Sequence, residues 1–203
     1  MDLRLCSNIA AEDFAESRFT LPDDGRWCEL VDGRVLVHTP PSTEHGTVVL
    51  NFAKALARYL ELNPEGYACF ELGLAAVRNP DSAFFPAISY FVGGNRFAEM
   101  DKVITDTCPA LVIEIASTAD RRRVLRRRVA QYIEWGVSVV IVIDPDERRG
   151  MVHLSNHTGI VLKQDSTIAC TPDWWLNRPD RQFLEEFELP VSTLLHEPSA
   201  AHN

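Results

Sequence analysis

The sequence predicts an α/β (α+β) chain: a mixed β-sheet core flanked by helices, with an N-terminal β-hairpin. Three observations carry that reading. Residues 27–38, WCELVDGRVLVH, set Asp32-Gly33, a type I′ turn signal, between two apolar runs. Residues 110–116, ALVIEIA, and 137–144, VSVVIVID, are continuous apolar runs of strand length, as suits strands covered on both faces. Between them, residues 119–135 have helical character and stop at Gly136, so the unit reads strand–helix–strand with its two strands parallel.

The remaining elements follow in chain order. Pro40-Pro41 breaks the chain after the hairpin, and Ser42 is a good N-cap. Residues 43–62 form an amphipathic helix, because Val48, Phe52, Ala55, Leu56, Tyr59 and Leu60 recur at spacings of three and four. Asn63-Pro64-Glu65-Gly66 ends it. Residues 67–77, YACFELGLAAV, read as a strand, Asn79-Pro80-Asp81 as a turn, and 84–92, FFPAISYFV, as the next strand, closed by Gly93-Gly94. Residues 151–163 read as a hairpin around Asn156-Gly159. The stretch 171–188 is rich in tryptophan, proline and charge and takes no assignment. Pro190 to Leu195 forms a short closing element, and both chain ends, including the polar tail after Leu195, are expected to be loosely held.

Composition narrows the function classes. The 203 residues suit a single domain that can bury a sizeable core unaided. The net charge of −9 would repel a nucleic-acid backbone, so any phosphate contact needs a local basic patch. Cys6, Cys28, Cys69, Cys108 and Cys170 are odd in number and lack CxxC spacing, which argues against a zinc site and a disulfide framework. Early charges at Glu12, Asp13, Glu16 and Arg18 interrupt any signal-peptide core, and no run of about 18 apolar residues exists to span a membrane. A cytoplasmic location is the expectation.

Glu114 is the most informative residue. It lies among Leu111, Val112, Ile113 and Ile115, where an unpaired carboxylate would be costly. It either reaches the exposed strand end, pairs with an arginine, or serves as a metal ligand or acid/base group at a strand's C-terminal end. The following helix carries Arg121, Arg122, Arg123, Arg126, Arg127 and Arg128, which point all around its axis at about 100° per residue. Leu125, Val129 and Tyr132 share the side that faces the sheet. Arg128, one turn before Tyr132, lies at the margin of that side and can reach inward. Most of the others belong to a solvated surface, yet this helix is also the best candidate for phosphate contact.

The ordered set of segments resembles the Uma-two family of restriction endonucleases in the PD-(D/E)xK superfamily. PALVIEIASTAD (109–120), Arg128, Tyr132, Gly136-Val137 and Ile143-Asp144-Pro145 match its central motifs. ELVDGRVLV (29–37) matches its opening hairpin, PPSTEHG (40–46) its first helix start, and FFPAISYFV (84–92) the strand that carries its P-D pair. The resemblance covers about 27–165, leaving 166–203 as a C-terminal extension of one 1–203 domain. It implies a restriction-endonuclease-like fold, Mg²⁺ as cofactor, DNA as substrate and a possible homodimer. Carried over, Glu114 is the metal ligand, and Arg128 takes the place of a lysine that steadies the phosphate. From the residues themselves, Glu71 reads as an outward edge-strand acid or as a second cleft residue, and His45 as a satisfied polar side chain, with the resemblance favouring a place in the cleft; there the two would orient water or substrate. Arg121, Arg122 and Arg127 of the basic helix are the candidates for DNA contact.

The departures matter as much. Ala87 stands at the family's aspartate position and offers no oxygen ligand, so Mg²⁺ binding and activity are expected to be weakened or lost. Natural loss and deliberate replacement both account for Ala87. Arg128 keeps lysine's charge without its compact ammonium, and Val139, Val140 and Ile141 replace the family's E-Y-W. Asp81 is a weak substitute ligand in a turn context. Glu29 reads first as a hairpin surface residue, and Trp174 and Trp175 as a lid on the core. The alternatives to an impaired Mg²⁺-dependent endonuclease are a non-catalytic DNA-binding or dimeric interaction protein on a degenerate scaffold, and a role unrelated to nucleic acid.

Overall fold

Asp32 and Gly33 both adopt positive φ, 50° and 69°, the conformation a type I′ turn requires. They join β1 (Cys28–Val31) to β2 (Arg34–Val37), with Val31 opposite Arg34. Gly33 is also held close to the N-terminal segment: an added Cβ would lie 2.8 Å from the Asn8 Cα. The computed structural model describes residues 6–93, 98–155, 157–171, 174 and 183–197.

Both long helices have the expected bounds. α2 spans Thr43–Leu62 and α3 spans Ala119–Trp135. Gly136 caps α3 in the left-handed region at φ 112°, where a side chain would be strained. α3 links β8 (Leu111–Ile115) to β9 (Val139–Asp144), and these strands are parallel as predicted.

The strands expected over 67–77 and 84–92 are each broken in two, and their halves lie in different sheets. β3 (Tyr67–Phe70) and β6 (Ile88–Phe91) pair with each other in a six-stranded sheet of order β11-β10-β9-β8-β6-β3, where β10 is Arg149–Leu154 and β11 is His157–Leu162. β4 (Gly73–Val77) and β5 (Ser82–Phe84) belong to a five-stranded sheet of order β2-β1-β5-β4-β7, where β7 is Ile104–Thr105. One break falls at Glu71, whose φ is 50°. The other falls at Phe85-Pro86-Ala87, where Pro86 has no N–H to donate to a ladder. The two breaks lie side by side, with the Glu71 N–H donating to the Ala87 carbonyl at 3.3 Å. The two sheets therefore part at one place, and the cleft opens there.

β8 separates two cores by its alternation. Leu111, Ile113 and Ile115 pack with Val48, Phe52 and Leu56 of α2. Val112 packs on the opposite side with Val129 and Tyr132 of α3, together with Val140 and Val142 of β9. Glu114 shares this second side, an acid inside an otherwise apolar layer.

The N-terminal segment is not loosely held. α1 (Ala11–Ser17) buries Phe14 completely, and Ile9 and Leu21 join it against Leu30, Ala83 and Phe85. Burying a phenylalanine contributes about 1.5–3 kcal/mol, enough to tie this segment to the five-stranded sheet. At the other end, β12 (Thr167–Ala169) pairs with β13 (Glu188–Pro190), and α4 (Val191–Leu194) follows. The Asn51 side-chain amide on α2 reaches the carbonyls of Thr193, Leu194 and His196, so this end is anchored as far as His196. Residues 198–203 lie outside the described residues.

The last expected hairpin forms from β10 (Arg149–Leu154) and β11 (His157–Leu162). Gly159 sits within β11 and not in the turn; Asn156 lies outside the described residues. Trp174 is buried in the core as a lid residue. Gly94, Trp175 and most of 171–182 also lie outside the described residues.

Candidate functional site

The hairpin register builds the first half of the site. His38 follows β2 directly, and its N–H donates to the Trp27 carbonyl at 2.8 Å. Glu29 and His38 are thus diagonal neighbours on one face of the hairpin. That face is covered, not solvated: Glu29 is 2% exposed and His38 4%. This overturns the reading of Glu29 as a surface residue, because α3 lies across it and supplies its counter-ion. His38 and Asp120 were not singled out in the sequence. The two-residue turn at Asp32-Gly33 was the signal that aligns His38 with Glu29.

α3 and β8 build the second half. Arg128, 3% exposed, sends Nη1 to Glu114 Oε1 at 3.2 Å and Nη2 to Glu29 Oε2. The Tyr132 hydroxyl donates to Glu114 Oε1 at 2.9 Å. His38 Nε2 meets Glu29 Oε2 at 2.6 Å, and its Nδ1 meets Asp120 Oδ2 at 3.1 Å. The Phe85 N–H donates to Glu29 Oε1 at 3.1 Å. Asp120 accepts further from the Thr39 N–H and the Thr118 hydroxyl. The result is an alternating chain of acids and bases, Asp120–His38–Glu29–Arg128–Glu114–Tyr132. The Arg128 guanidinium also lies 4.9 Å from the centre of the Phe84 ring.

These contacts fix the charges. Burial alone would push the Glu29 carboxyl up, but the Arg128 guanidinium, His38 and the Phe85 N–H outweigh it and hold it down at about 2. Asp120 is likewise lowered against burial, by Thr118, the Thr39 N–H and His38. Arg128 is raised: its burial opposes the charge, and Glu29 and Glu114 more than restore it. Burial and the neighbouring Glu114 push Tyr132 well up. Each of these groups is locked in one protonation state at neutral pH, whereas a general acid or base works best with a pKa near the operating pH.

Beside this network lies a narrow cleft of about 20 Å³, lined by Arg26, Glu29, His45, Glu71, Ala87 and Arg121, among others. That volume suits about one water molecule. Ala87 lies one residue beyond the Ile88–Ile113 pair, which puts it opposite Glu114 in the β6–β8 register. Ala87 lines the cleft, packs with the core cluster that holds α2, and brings no carboxylate to this position. Glu71 occupies the strand break, and His45 of α2 meets the Ser117 hydroxyl through Nδ1 at 3.1 Å. Burial, with help from Arg121, pushes His45 down to about 4, so its ring is neutral at physiological pH.

The three α3 arginines expected to contact DNA have different surroundings. Arg121 lines the cleft, and its Nε has no hydrogen-bond partner among the described residues. Arg122 is held by Asp144 at 2.9 and 3.1 Å and by Asp146 at 2.5 Å. Arg127 is paired with Asp32 at 2.6 and 2.8 Å. Asp81 is a turn acid that accepts from the Ala11 N–H and from Arg78, tying α1 to the sheet.

The donor set does not fit a divalent metal. The oxygens of Glu114 are turned to Arg128 and Tyr132, and Ala87 supplies no ligand. Among the described residues, no group of three or more His, Cys, Asp or Glu side chains is arranged to hold a metal ion. No helix among the described residues is long and apolar enough to cross a membrane.

Comparison with known proteins agrees with this architecture. A family model, Uma2, described as "Putative restriction endonuclease", matches residues 11–192. The chain is similar to a solved structure of "a putative nuclease belonging to DUF820" from Anabaena variabilis ATCC 29413. The two are 17% identical with a TM-score of 0.69, and the match covers 89% of this chain and 96% of that one. At that identity the likeness carries the fold alone, which is restriction-endonuclease-like. No curated protein matches.

Proposed function

Because the chain belongs to the Uma2 family, described as "Putative restriction endonuclease", we propose that it is a nuclease-fold protein of DNA in which Mg²⁺-dependent phosphodiester hydrolysis is impaired or lost. The observation that carries this reading is the pairing of Glu114. Its carboxylate, the acid expected to hold metal, is neutralised by Arg128 and bonded by Tyr132, while its partner across the register is Ala87. A lone, already neutralised carboxylate is a poor ligand for Mg²⁺, which takes near-octahedral oxygen coordination. Without a metal, the site loses the ion that would lower the pKa of an attacking water. His45, Glu71 and Arg121 remain at the cleft and can hold a water or a phosphate oxygen, but they do not replace that chemistry.

The test is plasmid nicking by the purified protein with Mg²⁺ and with Mn²⁺. The reading expects no nicking above that of a Glu114→Gln control. Metal-dependent nicking that disappears in Glu114→Gln would overturn it.

A second reading, a non-catalytic DNA-binding protein on this scaffold, is favoured by the basic surface of α3. Arg123, Arg126 and Arg127 are exposed on a chain that is acidic overall. Binding of this kind appears at low salt and weakens steadily as salt is added. DNA titrations at several salt concentrations check it, and no binding at low salt counts against it.

A further inference from the structure

We propose that the guanidinium of Arg128 takes the place of a divalent cation, a tethered counter-ion that joins the buried carboxylates of Glu29 and Glu114 and keeps metal out. This rests on the reading of the chain as an impaired nuclease scaffold and says what replaced the lost ion. Glu29 comes from β1 in one sheet and Glu114 from β8 in the other. Both are almost fully buried, and two such anions converging without a cation would repel. One planar fork reaches both.

Every oxygen of the two carboxylates already has a partner, which leaves few positions for a metal ligand. Glu29 Oε1 accepts from Phe85, and its Oε2 faces His38 and Arg128. Glu114 Oε1 accepts from Arg128 and Tyr132, and its Oε2 lies 3.5 Å from Arg128 Nη1. His38 faces carboxylates with both ring nitrogens, Glu29 through Nε2 and Asp120 through Nδ1. Arg128 brings a fixed positive charge to the point where a cation would sit between the two carboxylates. Ala87 completes the exchange: with a permanent cation in place, an aspartate there would add a third buried anion to this wall.

The test is thermal unfolding after EDTA treatment, with and without added Mn²⁺, for the parent, Arg128→Ala and Arg128→Ala/Glu114→Gln. The parent's Tm should not respond to Mn²⁺. Arg128→Ala should melt lower and recover through a saturable rise of about 5–10 °C at about a hundredfold excess over Kd. That rise should vanish in the double variant. A folded Arg128→Ala that gains nothing from Mn²⁺ overturns the proposal. If Arg128→Ala does not fold, EPR of free Mn²⁺ titrated with the parent decides. An undiminished signal is expected, and a saturable loss that Glu114→Gln abolishes overturns the proposal. An Mn²⁺-silent Arg128→Ala beside an inert parent sinks this inference alone, whereas nicking by the parent sinks the functional reading.

Discussion

Glu29 and Glu114 stand on strands of two different sheets and share one counter-ion, the Arg128 guanidinium. The two sheets are thus tied together by an ionic bridge beside the cleft. The same bridge occupies Glu114, the acid we propose as the place of a metal ligand in this scaffold.

Removing the bridge should cost far more than a surface pair. Arg128→Met leaves two buried carboxylates uncompensated, and the expected loss is about 3–5 kcal/mol. Arg127→Ala, which breaks an exposed pair with Asp32, should cost no more than about 1 kcal/mol. Urea unfolding of the two variants measures both.

Tyr132→Phe removes the hydroxyl that donates to Glu114 Oε1 and little else. The expected cost is about 1–3 kcal/mol, since the hydrogen bond is buried and its acceptor charged. A cycle with Glu114→Gln should show strong non-additivity, because the two side chains belong to one network.

Acid should weaken the fold in two stages. His45 is pushed down from 6.5 to about 4 by burial, so the unfolded chain binds a proton there that the native chain refuses. Stability from this group falls as pH drops from about 6.5 to 4. Glu29 is lowered from 4.5 to about 2, so its contribution is complete above about 4.5 and is lost as pH falls to about 2. Denaturant midpoints across pH should show both stages, and His45→Gln should flatten the first alone.

DNA affinity should depend unequally on neighbouring arginines. Arg121 faces the cleft, whereas Arg122 is held by Asp144 and Asp146 and Arg127 by Asp32. Arg121→Ala should lower affinity and reduce the salt slope by about one, with smaller effects from Arg122→Ala and Arg127→Ala. Fluorescence anisotropy at several salt concentrations distinguishes them.

Much of this was legible in the residues. Helical spacing and the Ser42 and Gly136 signals gave α2 and α3 their bounds, and apolar length gave β8 and β9. The acid inside ALVIEIA left three readings open, an exposed strand end, an arginine pair or a metal ligand, and the structure shows the arginine pair, with Arg128 reaching inward from the helix margin. The strand breaks were hidden because an alternating pattern does not report a change of sheet; Glu71 in the left-handed region is a tertiary outcome. Glu29 was misplaced because a hairpin is expected to wet one face, and only α3 packing across it changes that. His38 gave no apolar or charge pattern of its own, and its role follows from hairpin register.

The most direct test is a crystal structure from crystals soaked in Mn²⁺, with anomalous differences at the manganese edge. The account predicts the Arg128 guanidinium between Glu29 and Glu114 and no anomalous peak within coordinating distance of Glu114. A manganese ion bound by Glu114, with Arg128 swung away, would contradict it.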